Sequence, residues 1–528
     1  MPLSIISPSG SESCRGTILL REKSDDEQRY HPGLKHDPQN PSLLLDPQPS
    51  DDPNDPLNWS TGKKDMVYMA LFIGSIILAA VPAPVLASST AVLSEVLGVS
   101  LDDVALLSGY QLLVVGLYGP PCSALARKYG KRLQYIFAST MALVGTIICV
   151  ASGSKYSALL AGRLIQGFGT TAFESLSIAT IGDMYFVHQR GIRTGAMVLT
   201  LTCLPGIVNI IAGPITHSLE WRYMLIIHLP FITLSWILTF LLVPETQFQR
   251  SQSSQQQIAM VRNAILSDPK AESTVHIEDT NTVSKKTYWQ GLVPTFNTYT
   301  DTSLLKLIAG PFITLHNPAV IWTLAMGGVV VALYVSLSYM LAQVWSAPPY
   351  DLNAAGNGYF YVGSTLGGII GGVGGGWLTD VITKALIRAN GGVYEPEFRI
   401  PVQVAAAASL VLGYFLFAWD LKHPTPTGYY LGSFCHGCIC FGITLATLSA
   451  SLYILDAHPN ETTEIFIIQM MFKNLLFFGF SRFINTWTTE DGASAVLETY
   501  GIVSICLVAS SIAICTYPIM KHFELLLG

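Results

Sequence analysis

Apolar runs of about 20 residues recur along most of the chain, and they constrain its fold more than any other feature. About 20 apolar residues are needed for a helix to cross the hydrocarbon core of a bilayer. A helix also satisfies its own backbone hydrogen bonds there, which an open strand does not. The sequence therefore predicts an all-α membrane protein. The twelve predicted spans lie near residues 66–88, 104–126, 132–152, 156–181, 194–217, 222–243, 318–344, 355–379, 401–420, 428–454, 463–484 and 496–518.

The low content of charged residues agrees with a chain whose surface mostly does not face water. Only 12% of the residues are charged, about half the share that is usual in soluble domains. No basic run indicates nucleic-acid binding, and the net charge of −6 lies in tails and loops. Cys435, Cys438 and Cys440 do not share one helix face, so we expect neither a metal site nor a cofactor.

The spans fall into two groups of six, separated by a polar stretch. We predict a disordered cytoplasmic tail at 1–64, a six-helix bundle at 65–244, a cytoplasmic linker at 245–316, a second bundle at 317–520 and a short cytoplasmic tail at 521–528. A weak repeat relates the first and seventh spans, which predicts two pseudo-symmetric halves. Parallel halves of this kind, with a binding site between them near the midplane, are typical of secondary transporters.

The positions of Lys and Arg predict the orientation. Cytoplasmic loops carry an excess of these residues in membrane proteins. With both termini placed in the cytoplasm, the opposite side holds only Lys155, Lys422 and the boundary residue Arg222. The cytoplasmic side then holds Arg127, Lys128, Lys131, Arg132, Arg190, Arg193, Arg250, Arg262, Lys270, Lys285, Lys286, Lys306, Lys384, Arg388 and Arg399.

The fourth span carries charges that a lipid-facing helix would not tolerate. Arg163 and Glu174 are 11 residues apart, so they share one helix face and stand about 16 Å apart along the axis. Gln166 lies about 60° from Arg163. A charge at mid-bilayer costs roughly 2.5–3.5 kcal/mol, so we expect this face to line a cavity. Glu174 could take a proton or pair with a cationic ligand; a structural charge pair with a neighbouring helix is the alternative.

The eleventh span also contains a charged residue, Lys473, which is followed directly by Asn474. A lysine inside a membrane must find a carboxylate, a carbonyl or water. Lys473 and Asn474 are therefore candidates for contact with the substrate or the coupling ion, and a structural ion pair is again the alternative.

Several short motifs in a fixed order resemble those of the major facilitator superfamily, in particular its fungal twelve-span drug:proton antiporter branch. The resemblance covers the chain after the tail. The motifs are Asp52-Pro53-Asn54-Asp55-Pro56-Leu57-Asn58-Trp59 before span one, Gly119 to Arg132 around loop 2–3, Arg163-Leu164-Ile165-Gln166-Gly167-Phe168-Gly169 in span four, Gly206 with Ala212-Gly213-Pro214 in span five, and Asn390 to Glu397 in loop 8–9.

The resemblance implies gating and helix-packing roles for seven residues: Gly119, Arg127, Gly130, Arg132, Gly213, Pro214 and Asp380. Members of the family usually carry an acidic residue where this chain has Arg127, whereas Asp380 keeps the acid in the second half. From the residues alone, the basic cluster at 127–132 is either a topology anchor or a conformational latch. We expect Asp380 to provide most of the latch and Arg127 to be a replaceable anchor.

The leading hypothesis is a proton-coupled secondary transporter that exports a small organic compound such as a secondary metabolite, toxin or drug. One alternative is a proton-coupled importer of a cationic nutrient such as a polyamine, and another is a non-transporting membrane sensor. No enzyme motif with the right context occurs, so no enzyme activity is expected. We expect a monomer in the cell membrane, with the vacuolar membrane as the alternative location.

Overall fold

The computed structural model describes residues 18–19, 35–37, 40–45, 47–50, 52–249, 287–293, 298–390, 393–458 and 461–511. Most of the described chain is helical. Two short antiparallel strand pairs lie outside the helices, one joining Ile18–Leu19 to Val393–Tyr394 and the other joining His36–Asp37 to Asn40–Leu44. Most of the linker and the predicted tail at 521–528 lie outside the described residues.

Six helices occupy the predicted N-terminal bundle. They are α1 (Thr61–Leu97), α2 (Leu101–Tyr129), α3 (Lys131–Ala151), α4 (Tyr156–Ser175, continued by Ser177–Met184), α5 (Val187–Leu219) and α6 (Arg222–Leu242).

Six more occupy the predicted C-terminal bundle, after a short linker helix at Leu304–Ile313. They are α7 (Pro318–Ser346), α8 (Val362–Ala389, preceded by Ala354–Tyr359), α9 (Pro396–Lys422), α10 (Gly428–Ala457), α11 (Thr462–Ser481) and α12 (Ala493–Ala509, preceded by Ile484–Asp491).

Helices occupy the described part of each predicted span, which confirms the all-α membrane fold. Within the described residues, eight helices are long and apolar enough to cross a membrane, or up to ten if the two bent segments, α5 and α12 with its preceding helix, each count as one span. The other two are α4, which carries Arg163 and Glu174, and the glycine-rich α8. Polar and glycine residues lower the apolar character of these two helices, as expected where helices face protein rather than lipid.

Helix α1 is interrupted midway, and this interruption shapes the interior of the N-terminal half. The α-helix Thr61–Gly74 widens into a π-helical stretch at Ser75–Ala80 and resumes as a 3₁₀ turn at Pro84–Ser89. Pro82 and Pro84 lack the N–H groups that a regular helix needs. Carbonyl groups near residues 77–82 are therefore free to accept hydrogen bonds from side chains of other helices.

The described end of the N-terminal tail is ordered, in contrast to the prediction of disorder up to residue 64. The fully buried Asp55 accepts hydrogen bonds from the backbone N–H groups of Ser50 and Leu57. Leu57 packs with Leu45 and Phe186 in a small apolar cluster. The tail motif before span one is thus a capped turn held against the end of α4, and α1 already begins at Thr61.

The two halves meet along two antiparallel helix pairs. In the α2–α11 seam, Gly109, Gly116 and Gly119 lie against Ser481, Asn474 and Met470 in turn. In the α5–α8 seam, Gly206 lies against Thr365, and Gly213 lies against Gly358. Glycine at these positions lets the helix backbones approach closely. This arrangement places the charged parts of α4 and α11 next to each other.

Candidate functional site

Glu174 and Lys473 form an ion pair that joins the two halves inside the membrane-spanning region. Lys473 Nζ lies 2.6 Å from Glu174 Oε1. The Glu174 side chain is 16% exposed and the Lys473 side chain is 25% exposed, so solvent can reach both. The sequence indicated both residues separately but did not predict that they pair. Pairing lowers the free-energy cost of placing each charge inside the membrane, because a buried charge is tolerated when an opposite charge compensates it.

Arg163 lies inside the N-terminal half instead of lining the space between the halves. Its side chain is fully buried. Its Nη1 donates to the Pro82 carbonyl at 2.5 Å, to Gln111 Oε1 at 3.0 Å and to Gln166 Oε1 at 3.2 Å. Gln166 in turn donates to Thr146 Oγ1 at 2.7 Å. In this conformation the carbonyl group of Pro82, at the interruption of α1, and the two glutamine side chains hold the guanidinium inside the N-terminal half. The cavity-lining role of Arg163 and Gln166 stays a prediction.

Asn474 lies at the centre of the α2–α11 seam. Its side chain is fully buried, and neither its Oδ1 nor its Nδ2 has a partner among the described residues. A methyl group on Gly116 would lie 3.3 Å from Asn474 Cβ and 3.1 Å from the Met471 carbonyl oxygen. The amide is therefore held in a tight contact between the halves without hydrogen bonds, which costs about 1–3 kcal/mol for each unsatisfied group.

Polar contacts close both ends of this seam. At one end, Asp102 accepts hydrogen bonds from the backbone N–H groups of Asn485 at 2.9 Å and Thr486 at 3.1 Å. At the other end, the predicted cytoplasmic side, Arg127 forms an ion pair with Glu464 in the first turn of α11. Contacts to α11 and to the helix that follows it thus connect the halves from one end of α2 to the other.

The contacts of Arg127 and Asp380 differ in which half supplies the partner. Arg127 has a specific partner in the opposite half, whereas Asp380 contacts Arg399, 3.1 Å away, within its own half. Arg399 also contacts Asp456 of the same half. The acidic residue that the family usually carries in loop 2–3 is replaced here by a basic one, and Glu464 supplies the opposite charge. Relative to the acidic residue that the resemblance implies at this position, the first half contributes the opposite charge, so this is a reversed-polarity contact.

Gly130 and Arg132 belong to a second structure in loop 2–3, built around Glu245. Gly130 has a φ of 104°, a conformation that favours glycine. The Glu245 carboxylate accepts hydrogen bonds from the backbone N–H groups of Lys131 at 3.0 Å and Arg132 at 3.1 Å. Arg132 Nη2 donates to the Phe240 carbonyl at 3.0 Å. Glu245 therefore caps the start of α3, and Arg132 binds the end of α6.

Sequence reasoning missed Glu245, although a signal was available. It directly follows Pro244, immediately after the last apolar run of the first half, where a carboxylate can meet free backbone N–H groups of a nearby helix start. Burial raises the pKa of the Glu245 carboxyl above its ordinary value, and the backbone hydrogen bonds from Gln247, Lys131 and Arg132 act in the opposite direction.

Gly213 and Pro214 lie in the α5–α8 seam. A methyl group on Gly213 would lie 2.9 Å from Gly358 Cα and would overlap the Ala354 carbonyl oxygen. Pro214 sits within the continuous helix α5. Gly119 has the same kind of contact in the other seam, where a methyl group would collide with Met470 Cε. The geometry at these positions is that of close helix packing.

Comparison with known proteins identifies the chain's relatives. The sequence profile of the Major Facilitator Superfamily matches residues 66–481. The chain belongs to the Major Facilitator Superfamily. Members of this superfamily are membrane-embedded transporters of small molecules, not enzymes, and the chain is accordingly a multi-pass membrane transporter.

Several fungal superfamily members are similar over most of their length. An uncharacterized MFS-type transporter of Schizosaccharomyces pombe is 24% identical over 541 aligned residues, which cover 95% of this chain and 91% of that protein. Protein HOL1 of Saccharomyces cerevisiae is 21% identical, covering 90% of this chain and 89% of that protein. The probable efflux pump mfs2 of Aspergillus flavus is 24% identical, covering 76% of this chain and 89% of that protein.

Solved superfamily structures show the same fold at low sequence identity. The crystal structure of a D-xylose–proton symporter matches with a TM-score of 0.58 and 13% identity, covering 85% of this chain and 97% of that one. The xylose transporter XylE from E. coli, in a partially occluded inward-open conformation, matches with a TM-score of 0.57 and 12% identity, covering 85% and 97%.

In the part of the chain that the structure describes, no group of three or more His, Cys, Asp or Glu side chains could hold a metal ion. Cys435, Cys438 and Cys440 are free thiols on α10.

Proposed function

We propose that the chain is a proton-coupled secondary transporter that exports a small organic compound, with Glu174 as the proton-carrying group and Lys473 as its partner. The observation that carries this proposal is the Glu174–Lys473 ion pair, 2.6 Å long, between α4 of one half and α11 of the other. In transporters with two parallel halves, the halves rock against each other around a site at their interface. An ion pair at that interface is sensitive to both the proton and the relative position of the halves.

The pair couples protonation to conformation through its charge. While Glu174 is ionised, Lys473 is attracted to it and the halves are held together at this point. Protonation of Glu174 removes the opposite charge and leaves Lys473 without compensation in a poorly solvated place, which is unfavourable. A charged hydrogen bond is worth about 1.5–3 kcal/mol, so its loss can shift a two-state equilibrium by roughly ten- to a hundredfold.

The likeness to the Aspergillus flavus protein, whose name describes an efflux pump, supports the export direction. Import of a cationic nutrient is less well supported by the contacts, because Lys473 already occupies the carboxylate that would attract a cation. A cationic cargo would have to displace Lys473 and leave it uncompensated.

The first experiment identifies a cargo and its direction. Vesicles containing the purified protein, loaded with a pH-sensitive dye and energised with a proton gradient, would be screened with neutral, cationic and anionic compounds. A compound whose addition dissipates the gradient is a coupled cargo. Cells expressing the protein should then accumulate less of that compound than control cells, and higher accumulation would instead establish import.

The second experiment tests the role of Glu174. Glu174→Gln should abolish gradient-driven movement of the cargo while keeping counterflow exchange, which needs no net proton cycle. Glu95→Gln, which changes an exposed carboxylate on α1, is the matched control and should behave like the wild type. Wild-type dependence on pH in Glu174→Gln would exclude the proposed role.

A double variant separates coupling from simple structural support. Glu174→Gln with Lys473→Gln removes both charges and leaves no uncompensated ion in the interior. If the pair serves only to hold the halves together, this variant should still couple cargo movement to protons. Uncoupled exchange in a well-expressed double variant is the result that the proposal requires.

A further inference from the structure

The guanidinium of Arg163 carries a charge that no anionic side chain balances. The side chain is fully buried. No carboxylate lies within ion-pair distance of it anywhere in the described residues. Glu174, which shares its helix, is already paired with Lys473. Away from the helix ends, the charges of Arg163, Glu174 and Lys473 therefore leave one excess positive charge in the interior.

The hydrogen bonds of Arg163 are also distributed unevenly among its three nitrogens. All three acceptors, from Pro82, Gln111 and Gln166, are bound by the same nitrogen, Nη1. Nε and Nη2 are buried and have no acceptor among the described residues. An unsatisfied buried donor costs about 1–3 kcal/mol, and more when it belongs to a charged group.

Arg132 shows how the same chain balances a buried arginine elsewhere. Its side chain is also almost fully buried. However, the carbonyl groups of Phe240 and Val243 accept from both of its terminal nitrogens, and the Glu245 carboxylate acts on it electrostatically. Nε of Arg132 also lacks an acceptor among the described residues. Arg163 differs from it because, within the same residues, only one of its nitrogens is bonded and no carboxylate lies near it.

The surroundings of Arg163 contain another unused polar atom. His228 on α6 donates a hydrogen bond from its Nε2 to the Ile77 carbonyl at 2.9 Å, and its Nδ1 has no partner among the described residues. Ile77 and Pro82 both belong to the interrupted part of α1. With the proton on Nε2, Nδ1 can accept a hydrogen bond from a water or hydroxyl group.

We propose that Arg163 is an anion-binding residue: its free Nε and Nη2 bind a small monovalent anion, either the carboxylate of a cargo or a free inorganic ion. Two adjacent N–H donors of a guanidinium match the two oxygens of a carboxylate. An anion there satisfies both donors and cancels the excess charge at once, whereas water satisfies only the donors. The site goes beyond the function proposed above and depends on neither the export direction nor proton coupling.

Binding can be measured on the full-length protein without any transport assay. The purified chain in nanodiscs of zwitterionic lipid would be titrated with sodium chloride or sodium benzoate at constant ionic strength, with gluconate as the balancing anion. We expect a saturable rise in Tm, because a ligand that binds only the folded state stabilises it. Saturation by benzoate alone would assign the site to a cargo carboxylate, and saturation by chloride would assign it to a free inorganic anion.

Variants connect the effect to Arg163. The saturable rise in Tm should be lost in Arg163→Gln and kept in Arg482→Gln, which removes an exposed cation near the end of α11. Arg163→Lys keeps the charge but not the paired donors, and it should raise the half-saturating concentration about tenfold, as expected for one lost charge-assisted hydrogen bond. Arg163→Lys also serves if Arg163→Gln does not fold.

Two results would overturn the proposal. One is the absence of any saturable rise in Tm with either anion in the wild type. The other is an equal rise in the wild type and in the Arg163 variants, which would place the anion elsewhere. Loss of transport coupling in Glu174→Gln, with the anion effect unchanged, would leave the proposal intact, so failure of one idea is distinguishable from failure of the other.

Discussion

The ion pair between Arg127 and Glu464 connects the two halves at the predicted cytoplasmic end of the α2–α11 seam, and its removal should favour separation there. Arg127→Ala eliminates the pair and leaves Glu464 in the first turn of α11. Helix N-termini stabilise a negative charge, so the remaining carboxylate is tolerated. We therefore expect the folded protein to persist and the equilibrium between its conformations to move.

The size of this shift follows from the exposure of the pair. The side chains are 42% and 18% exposed, so solvent screens the interaction substantially. Partly exposed ion pairs contribute about 0.5–1 kcal/mol, which corresponds to a roughly two- to fivefold shift in population. Asp380→Asn should shift the same equilibrium by less, because Asp380 is bound to Arg399 within one half and is 62% exposed.

A charge exchange makes the test specific. Arg127→Glu should move the equilibrium further than Arg127→Ala, because two carboxylates then face each other. Combining it with Glu464→Arg restores opposite charges but places a cation at a helix N-terminus, which costs about 0.3–1 kcal/mol. We expect the double variant to recover only part of the wild-type distribution.

The assay is cysteine accessibility from the predicted cytoplasmic side. A cysteine replacing Ser175, next to Glu174, would be labelled with a membrane-impermeant reagent in a background lacking the other cysteines. Faster labelling reports a more open cytoplasmic side. Unchanged labelling in Arg127→Ala and Arg127→Glu, together with a large change in Asp380→Asn, would refute the reversed-polarity contact as a determinant of the equilibrium.

Three further predictions concern packing and capping. Gly213→Val should reduce transport more than tenfold, because the valine side chain would overlap Gly358 in the α5–α8 seam. Gly374→Val should have a mild effect, because nothing lies within 4 Å of a methyl group at that site. Transport rates measured at matched expression test both expectations. Asn474→Leu should stabilise the closed α2–α11 seam and slow turnover up to about tenfold, since it removes an amide that lacks hydrogen bonds; a faster variant would contradict this. For Glu245, burial favours the protonated form in the folded state, so its contribution to stability is present at low pH and is lost as pH rises through the raised pKa. Between pH 7.5 and pH 5, the Tm of the wild type should therefore rise relative to that of Glu245→Gln, and parallel Tm curves would contradict this.

The amino-acid sequence by itself determined the helices and the chemically important positions. Bilayer thickness fixes the length of a spanning helix, and each helix satisfies its own backbone, so an apolar spanning helix can be recognised from local residues. The cost of a charge in the membrane singled out Arg163, Glu174 and Lys473 for the same local reason. None of these inferences needed knowledge of which helices are neighbours.

The tertiary structure decided the partners of these residues. Glu174 and Lys473 are 299 positions apart, and Arg127 and Glu464 are 337 positions apart, so no local pattern relates them. Both pairs depend on α11 packing against the N-terminal half, since a side chain only a few ångströms long can reach a neighbouring helix and no further. The same reasoning applies to Arg163: its angle on the helix was predictable, but its contact with a free carbonyl group of the interrupted α1 was not.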